Sequence, residues 1–98
     1  MKTWDIVYDP QALEDLEDIH DWVSRHASPR VADRYEERIV AYVRPLRNFP
    51  NRGAQRDDIS PGVRIVAFEE RIDIAFRMTA DHIEIVRFLY AGRQFDSR

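Results

Sequence analysis

Residues 62–93, GVRIVAFEERIDIAFRMTADHIEIVRFLYAGR, alternate apolar and polar side chains with a period of two. A helix returns to the same face every 3.6 residues and a strand every second one, so this stretch can be satisfied only by a sheet. Its middle segment puts Ile72, Ile74, Phe76 and Met78 on one side and Arg71, Asp73, Ala75 and Arg77 on the other. One face must therefore be packed and the other wet. The next segment carries Ile83, Ile85 and Leu89 inward, and the same count places Arg87 on that inward row. A guanidinium among core positions requires either a buried partner or a function.

The segments 69–70 and 80–81 are short polar breaks, so the three strands are joined as antiparallel hairpins. Upstream, Thr3 to Tyr8 alternates Trp4, Ile6 and Tyr8 against Thr3, Asp5 and Val7, which predicts a first strand. Asp9-Pro10 then reads as an N-cap with proline in the first helical turn. At about 100° per residue, Ala12, Leu13, Leu16, Ile19 and Val23 share a face, and Glu14, Asp15, Glu17, Asp18 and Asp21 cover the rest. That acidic run reads as a solvated helix face or as a contact for a basic partner. Ser28-Pro29 repeats the capping signal, ending the first helix near His26 and starting a second with Val31, Ala32, Tyr35, Ile39, Tyr42, Val43 and Leu46 on its apolar side. Pro45 must kink that helix or open its last turn. FPNRG at 49–53 and SPG at 60–62 bracket a polar loop.

The predicted order is β-α-α-β-β-β: an α+β domain over residues 1–98, with an antiparallel helical hairpin packed on one face of a small, mainly antiparallel sheet. Ninety-eight residues suffice for one core. The chain has no cysteine, which excludes disulfides and thiolate metal sites. His20, His26 and His82 have no ligand spacing, so no metal or cofactor is expected. No apolar run has signal-peptide or bilayer length, and a cytoplasmic protein is expected. The formal charge of -3 is unevenly spread: residues 1–27 balance to -5 and residues 28–48 to +2. Fourteen of the fifteen basic residues are arginine, forks for carboxylate or phosphate that do not shuttle protons at neutral pH. The acidic total argues against unaided, tight nucleic-acid binding and hence against a free-standing nuclease.

Four stretches, YDPQALEDL at 8–16, FPNRG at 49–53, GVR at 62–64 and EIVRFLYAGR at 84–93, together with the order of elements, resemble the RelE/ParE superfamily of toxins from type II toxin–antitoxin pairs. The resemblance covers essentially the whole chain. It implies a small toxin held inactive by a cognate antitoxin with a helical C-terminal segment. RelE-like members cut messenger RNA on the ribosome with strand-borne lysines and arginines, an arginine after the last strand, and a tyrosine or histidine in the tail. Carried onto this chain, Arg64 and Arg93 match basic positions of that set. Val66 and Asp73 stand where further cations are expected, and the tail QFDSR at 94–98 has no tyrosine or histidine. An aspartate among phosphate contacts repels substrate.

The ending RFLYAGR at 87–93 is more similar to the ParE branch, whose members inhibit DNA gyrase by protein–protein contact, without a catalytic set. That implies Arg64, Arg87, Tyr90 and Arg93 as target contacts, and Trp22, Phe88 and Tyr90 as antitoxin contacts. The ribosome-dependent endoribonuclease, resting on Arg64 and Arg93, is the alternative. Each residue also has a plainer reading. Arg87 can pair with a helix carboxylate and brace the sheet. Arg64 and Arg93 can be surface charge. Phe88 and Tyr90 can pack under the C-terminal tail instead of forming a patch that a partner covers. Trp22 lies beside the acids, about 110° from the centre of the apolar helix face, as an edge-of-core residue or a partner contact.

Overall fold

The computed structural model describes residues 3–90. A first strand, β1 (Asp5–Tyr8), leads into α1 (Pro10–His26) and α2 (Pro29–Val43), which continues as a single 3-10 turn at Arg44–Arg47. Four strands follow: β2 (Ala54–Gln55), β3 (Val63–Phe68), β4 (Ile72–Met78) and β5 (His82–Tyr90). The capping signals act as their chemistry dictates. Asp9 accepts a hydrogen bond from the Gln11 N–H, and Ser28 accepts one from the Val31 N–H. Pro45 sits in the 3-10 turn, where its missing N–H does not break an α-helical ladder.

The sheet order is β1-β5-β4-β3-β2. β1 pairs with β5 in parallel, and the other neighbours are antiparallel. The first and last strands of the domain are therefore joined side by side, and the helical hairpin carries the chain from edge strand β1 across to the opposite edge strand β2. The two-residue β2 lies within the stretch that reads as a polar loop; it is too short to show a period, and pairing with Arg64 and Ile65 defines it. Gly53 leads into it with φ of +83°, and a Cβ there would stand 2.3 Å from the Ile65 carbonyl oxygen. Only glycine allows both the conformation and the approach.

Cross-strand register lines up the helix-facing rows. Tyr8 lies opposite Ile85, Ile85 opposite Phe76, and Phe76 opposite Arg64. Ile72, Ile74, Phe76, Ile83 and Ile85 are buried against Ala12, Leu16, Ile19 and Val23 of α1 and Ala32, Ile39 and Val43 of α2. Four expected inward positions are open instead: Leu13 is 49%, Val31 45%, Met78 40% and Tyr42 38% exposed. Leu13 lies on the flank of α1 that turns away from the sheet, and Met78 ends its strand. Conversely Asp15, expected in the solvated acidic run, is 3% exposed.

Between β4 and β5 the register slips. Phe76 pairs with Ile85 but Ala75 with Arg87, so Val86 is an extra residue, a β-bulge. The slip reverses the faces of the last residues. Phe88 and Tyr90 join the helix-side core, whereas Leu89 does not. Strict alternation from Ile83 mispredicts this end of the strand because one inserted residue changes every side beyond it. The β3–β4 turn has Glu69 at φ 51° and Glu70 at φ 57°, the mirror-image turn that suits the strand twist but that side chains tolerate poorly.

Opposite stability changes are expected at these two turns. Gly53→Ala destabilises by on the order of 1–3 kcal/mol from backbone strain and steric conflict. Glu70→Gly stabilises by up to about 1 kcal/mol through relief of the left-handed conformation. Urea denaturation of both variants checks the pair; a neutral Gly53→Ala contradicts the close approach of Gly53 to β3.

Candidate functional site

The bulge builds the floor of a cleft between α1 and β5. Arg87 Nε donates to Asp15 Oδ2 at 2.7 Å and Arg87 Nη2 to Oδ1 at 3.1 Å, a bidentate pair. The Phe88 backbone N–H donates to the same Oδ2 at 2.9 Å, and Gln11 Nε2 approaches Oδ1 at 3.4 Å. Asp15 thus satisfies a backbone group at the slipped register and neutralises the guanidinium in one step. The Asp15 hydrogen bonds also push the Arg87 guanidinium further from neutrality. Of the two readings of Arg87, this geometry is the bracing one.

Above that floor lies a cleft of about 270 Å³. Trp22 and Tyr90 form its aromatic wall, with ring centroids 5.3 Å apart and planes at 56°. His26, one turn on, stacks against the indole at 4.0 Å and donates its Nδ1–H to the Trp22 carbonyl oxygen at 2.7 Å. Trp22 remains 42% exposed. Asp18, Asp21 and Arg25 supply the charged rim. Phe88, expected as a partner contact, instead contributes to the cleft from beneath: it is 2% exposed and stacks toward Tyr8 at 6.1 Å. The bulge turned it inward, so Trp22 and Tyr90 are the aromatic side chains left accessible in the cleft.

Arg64 is held elsewhere. Its Nη1 donates to the Asn51 and Gly53 carbonyl oxygens at 2.9 and 3.2 Å, tying the loop to β3. Arg64 and Val66 occupy helix-side rows of β3, opposite Phe76 and Ile74, whereas Asp73 is exposed on the other face. Among the described residues, the positions that resemble a phosphate-binding set are therefore split between the two faces of the sheet. Arg93 and the tail at 94–98 lie outside the described residues. Among the described residues no group of His, Asp and Glu is arranged to hold a metal ion, and no helix is long and apolar enough to cross a membrane.

Sequence reasoning missed Asp15 because an acid beside four others on α1 looks like any solvated charge. The available signal was the unpaired inward arginine, which demands one carboxylate from the helix above it.

A second polar link joins the helices: His20 Nε2 lies 2.8 Å from Asp33 Oδ1. That hydrogen bond, reinforced by the charges of Glu36 and Asp21, raises the His20 pKa above 6.5. The protonated form is thus favoured by folding, so the contribution is complete below the ordinary imidazole pKa and is lost as pH rises through the raised one.

Asp15→Ala should cost about 3 kcal/mol, the lower end of the range for breaking a buried pair, because Arg87 retains some access to solvent. Asp15→Asn should recover part of this, since its amide oxygen can still accept from the Phe88 N–H. Chemical denaturation measures both, and an Asp15→Ala variant as stable as the parent contradicts the role given to this carboxylate. Asp33→Asn should lower the melting temperature more at pH 5.5 than at pH 8.5. An equal effect at both pH values rules out the His20 linkage.

The family model for the ParE toxin of type II toxin-antitoxin systems, parDE, matches residues 6–95. Among solved structures, one described as the chromosomal ParDE TA system from P. aeruginosa is similar with a TM-score of 0.80 and 28% identity. The similarity covers 92% of this chain and 98% of that one. No match was found among curated proteins. Through its sheet order, helical hairpin and near-complete family match, the chain belongs to the ParE toxins of type II toxin–antitoxin systems.

Proposed function

We propose that this chain is a cytoplasmic toxin, a single domain over residues 1–98, that inhibits DNA gyrase by protein–protein contact and is neutralised by a cognate antitoxin. The observation that carries this reading is the ParE family match over residues 6–95. The geometry supports it against the endoribonuclease alternative. RNA cleavage needs cations gathered around the transition state and a group to accept the 2′-hydroxyl proton. Arg64 is bound to loop carbonyls, and Asp73 faces the other way. An acidic chain of pI about 5.6 also has little nonspecific pull on nucleic acid, so docking on a protein is the more economical route to a DNA-bound enzyme.

The contact surface in this reading is the α1/β5 cleft. Trp22 and Tyr90 present exposed aromatic area of the kind that dominates protein interfaces. Arg93 follows Tyr90 by three residues and extends the target contact. Arg87 acts from below, holding β5 against α1 through Asp15, while Arg64 holds the 51–53 loop. Neutralisation then needs no conformational change in the toxin: an antitoxin segment over Trp22 and Tyr90 occupies the surface that the target requires. One side's contact excludes the other's.

The deciding experiment is a supercoiling and DNA-cleavage assay with gyrase from the same source, purified chain, and antitoxin added back. Inhibition or trapped cleaved DNA, reversed by antitoxin, is expected. Tyr90→Ala with Trp22→Ala should weaken inhibition at least tenfold while leaving the fold intact by circular dichroism. A folded chain that arrests growth, leaves gyrase untouched and produces cut messages on stalled ribosomes overturns the reading in favour of the endoribonuclease.

A further inference from the structure

The cleft between α1 and β5 holds about 270 Å³. Sites for drug-sized ligands span roughly 300–1,000 Å³, so this one takes a single long side chain or a ligand of that size. Its floor is apolar, since Ile19 and Phe88 are both buried beneath it. Trp22 and Tyr90 diverge above that floor, their planes tilted by 56° with centroids 5.3 Å apart, and form a wedge of two aromatic rings. His26 does not line the cleft. It backs the indole by stacking at 4.0 Å, and its hydrogen bond to the Trp22 carbonyl oxygen holds that stack in place. The aromatic wall is therefore set before any ligand arrives.

The charge around the wedge has one sign in excess. Asp15 and Asp18 line the same cleft about one helical turn apart. Among the described residues Asp15 has a cation, Arg87, and the Asp18 carboxylate has none. The rim guanidinium, Arg25, donates through Nε to the Asp21 carbonyl oxygen at 3.4 Å rather than to a carboxylate. An anion entering here meets Asp18 and Asp21, and a neutral apolar group strips water from Asp18 without replacing it. A cation satisfies both the carboxylate and the negative ring faces. Guanidinium suits the site better than ammonium: it is planar, weakly hydrated, stacks on aromatic rings and forks onto a carboxylate through two N–H groups. Arg87 on Asp15, at 2.7 and 3.1 Å, is that fork already made at the base of the cleft.

We propose that the α1/β5 cleft is a binding pocket for a guanidinium group, wedged against Trp22 and Tyr90 and paired with Asp18. The inference rests on the contact role given to this cleft above and names the chemistry that it reads. Two sources carry such a group: an arginine side chain on a docked protein, and free arginine. Arg25 on the rim is a partner for the α-carboxylate of free arginine, whereas a side chain within a protein has no use for it. Removing Arg25 therefore separates the two.

The test is an NMR titration of the full, isotope-labelled chain with Nα-acetyl-L-arginine N-methylamide. The Trp22 indole N–H, assigned by its loss in Trp22→Phe, and the Tyr90 amide should shift saturably at millimolar concentration. The citrulline derivative, the same shape without the charge, should bind about tenfold more weakly, and the lysine derivative about threefold more weakly. Asp18→Asn, at an exposed position that keeps the fold, should weaken the arginine derivative about fivefold or more. Citrulline binding as tightly as arginine, or a folded Asp18→Asn variant with unchanged affinity, overturns the guanidinium assignment. So does the absence of shifts at Trp22 and Tyr90 at the solubility limit of the probe. Free L-arginine binding no more tightly than the blocked derivative places the group on a protein. Tighter binding that Arg25→Ala abolishes places it on the free amino acid, and the chemistry of the pocket is upheld in both cases. A chain that binds the probe but leaves gyrase untouched keeps the pocket and loses only the target proposed above; gyrase inhibition without probe binding does the reverse.

Discussion

The carboxylate of Asp15 organises this fold out of proportion to its size. It is the one charged side chain buried among the described residues, and it serves three needs at once. It neutralises Arg87, it accepts the Phe88 N–H at the slip in the β4–β5 ladder, and it ties α1 to β5, the strand between β1 and β4. A buried ion pair is costly to desolvate and gains little over a well-packed apolar pair. Here the pair also satisfies a backbone donor at a bulge, a position where no apolar substitute could serve. The bulge turns Phe88 and Tyr90 toward the helices, and with Tyr90 beside Trp22 the cleft acquires its aromatic wall.

Two concave surfaces lie on the helical layer, on either flank of α1. The cleft beside β5 is aromatic with a charged rim; the seam beside α2 is apolar with opposite charges at its ends. The acids of α1 thus have different roles according to their angle around the helix. Asp15 points into the sheet, Asp18 faces the cleft, and Glu17 faces the seam, while Asp21 stands where the two surfaces meet. An uneven charge layout that looks like simple solvation in one dimension becomes three separate electrostatic environments in three.

The face of the sheet away from the helices buries Val63, Ala75 and Leu89 but carries charge where it is exposed. Arg77 and Glu84 pair across β4 and β5 at 2.7 Å, and Asp73 is solvent-exposed nearby. Cations and anions are interleaved there, so no field of one sign develops, and a phosphate backbone would meet repulsion as often as attraction.

Much of the architecture was legible in the chain because its causes are local. Asp9-Pro10 and Ser28-Pro29 set the helix starts through side-chain capping and a preset φ, and period-two alternation marked the strands. The helix-side arginine was visible too, together with its demand for a partner. Three features were decided only by tertiary structure. Two residues of β2 have no period and exist because β3 offers them an edge. The slip at Val86 leaves no mark on hydrophobicity, yet it exchanged the faces of Phe88 and Leu89. And nothing in a row of five acids distinguishes Asp15 from Glu14 or Asp18, since burial depends on which neighbour lies across the helix–sheet gap. Local propensity is written residue by residue; register and charge pairing are agreed between segments 72 residues apart in the chain, and only the folded packing settles them.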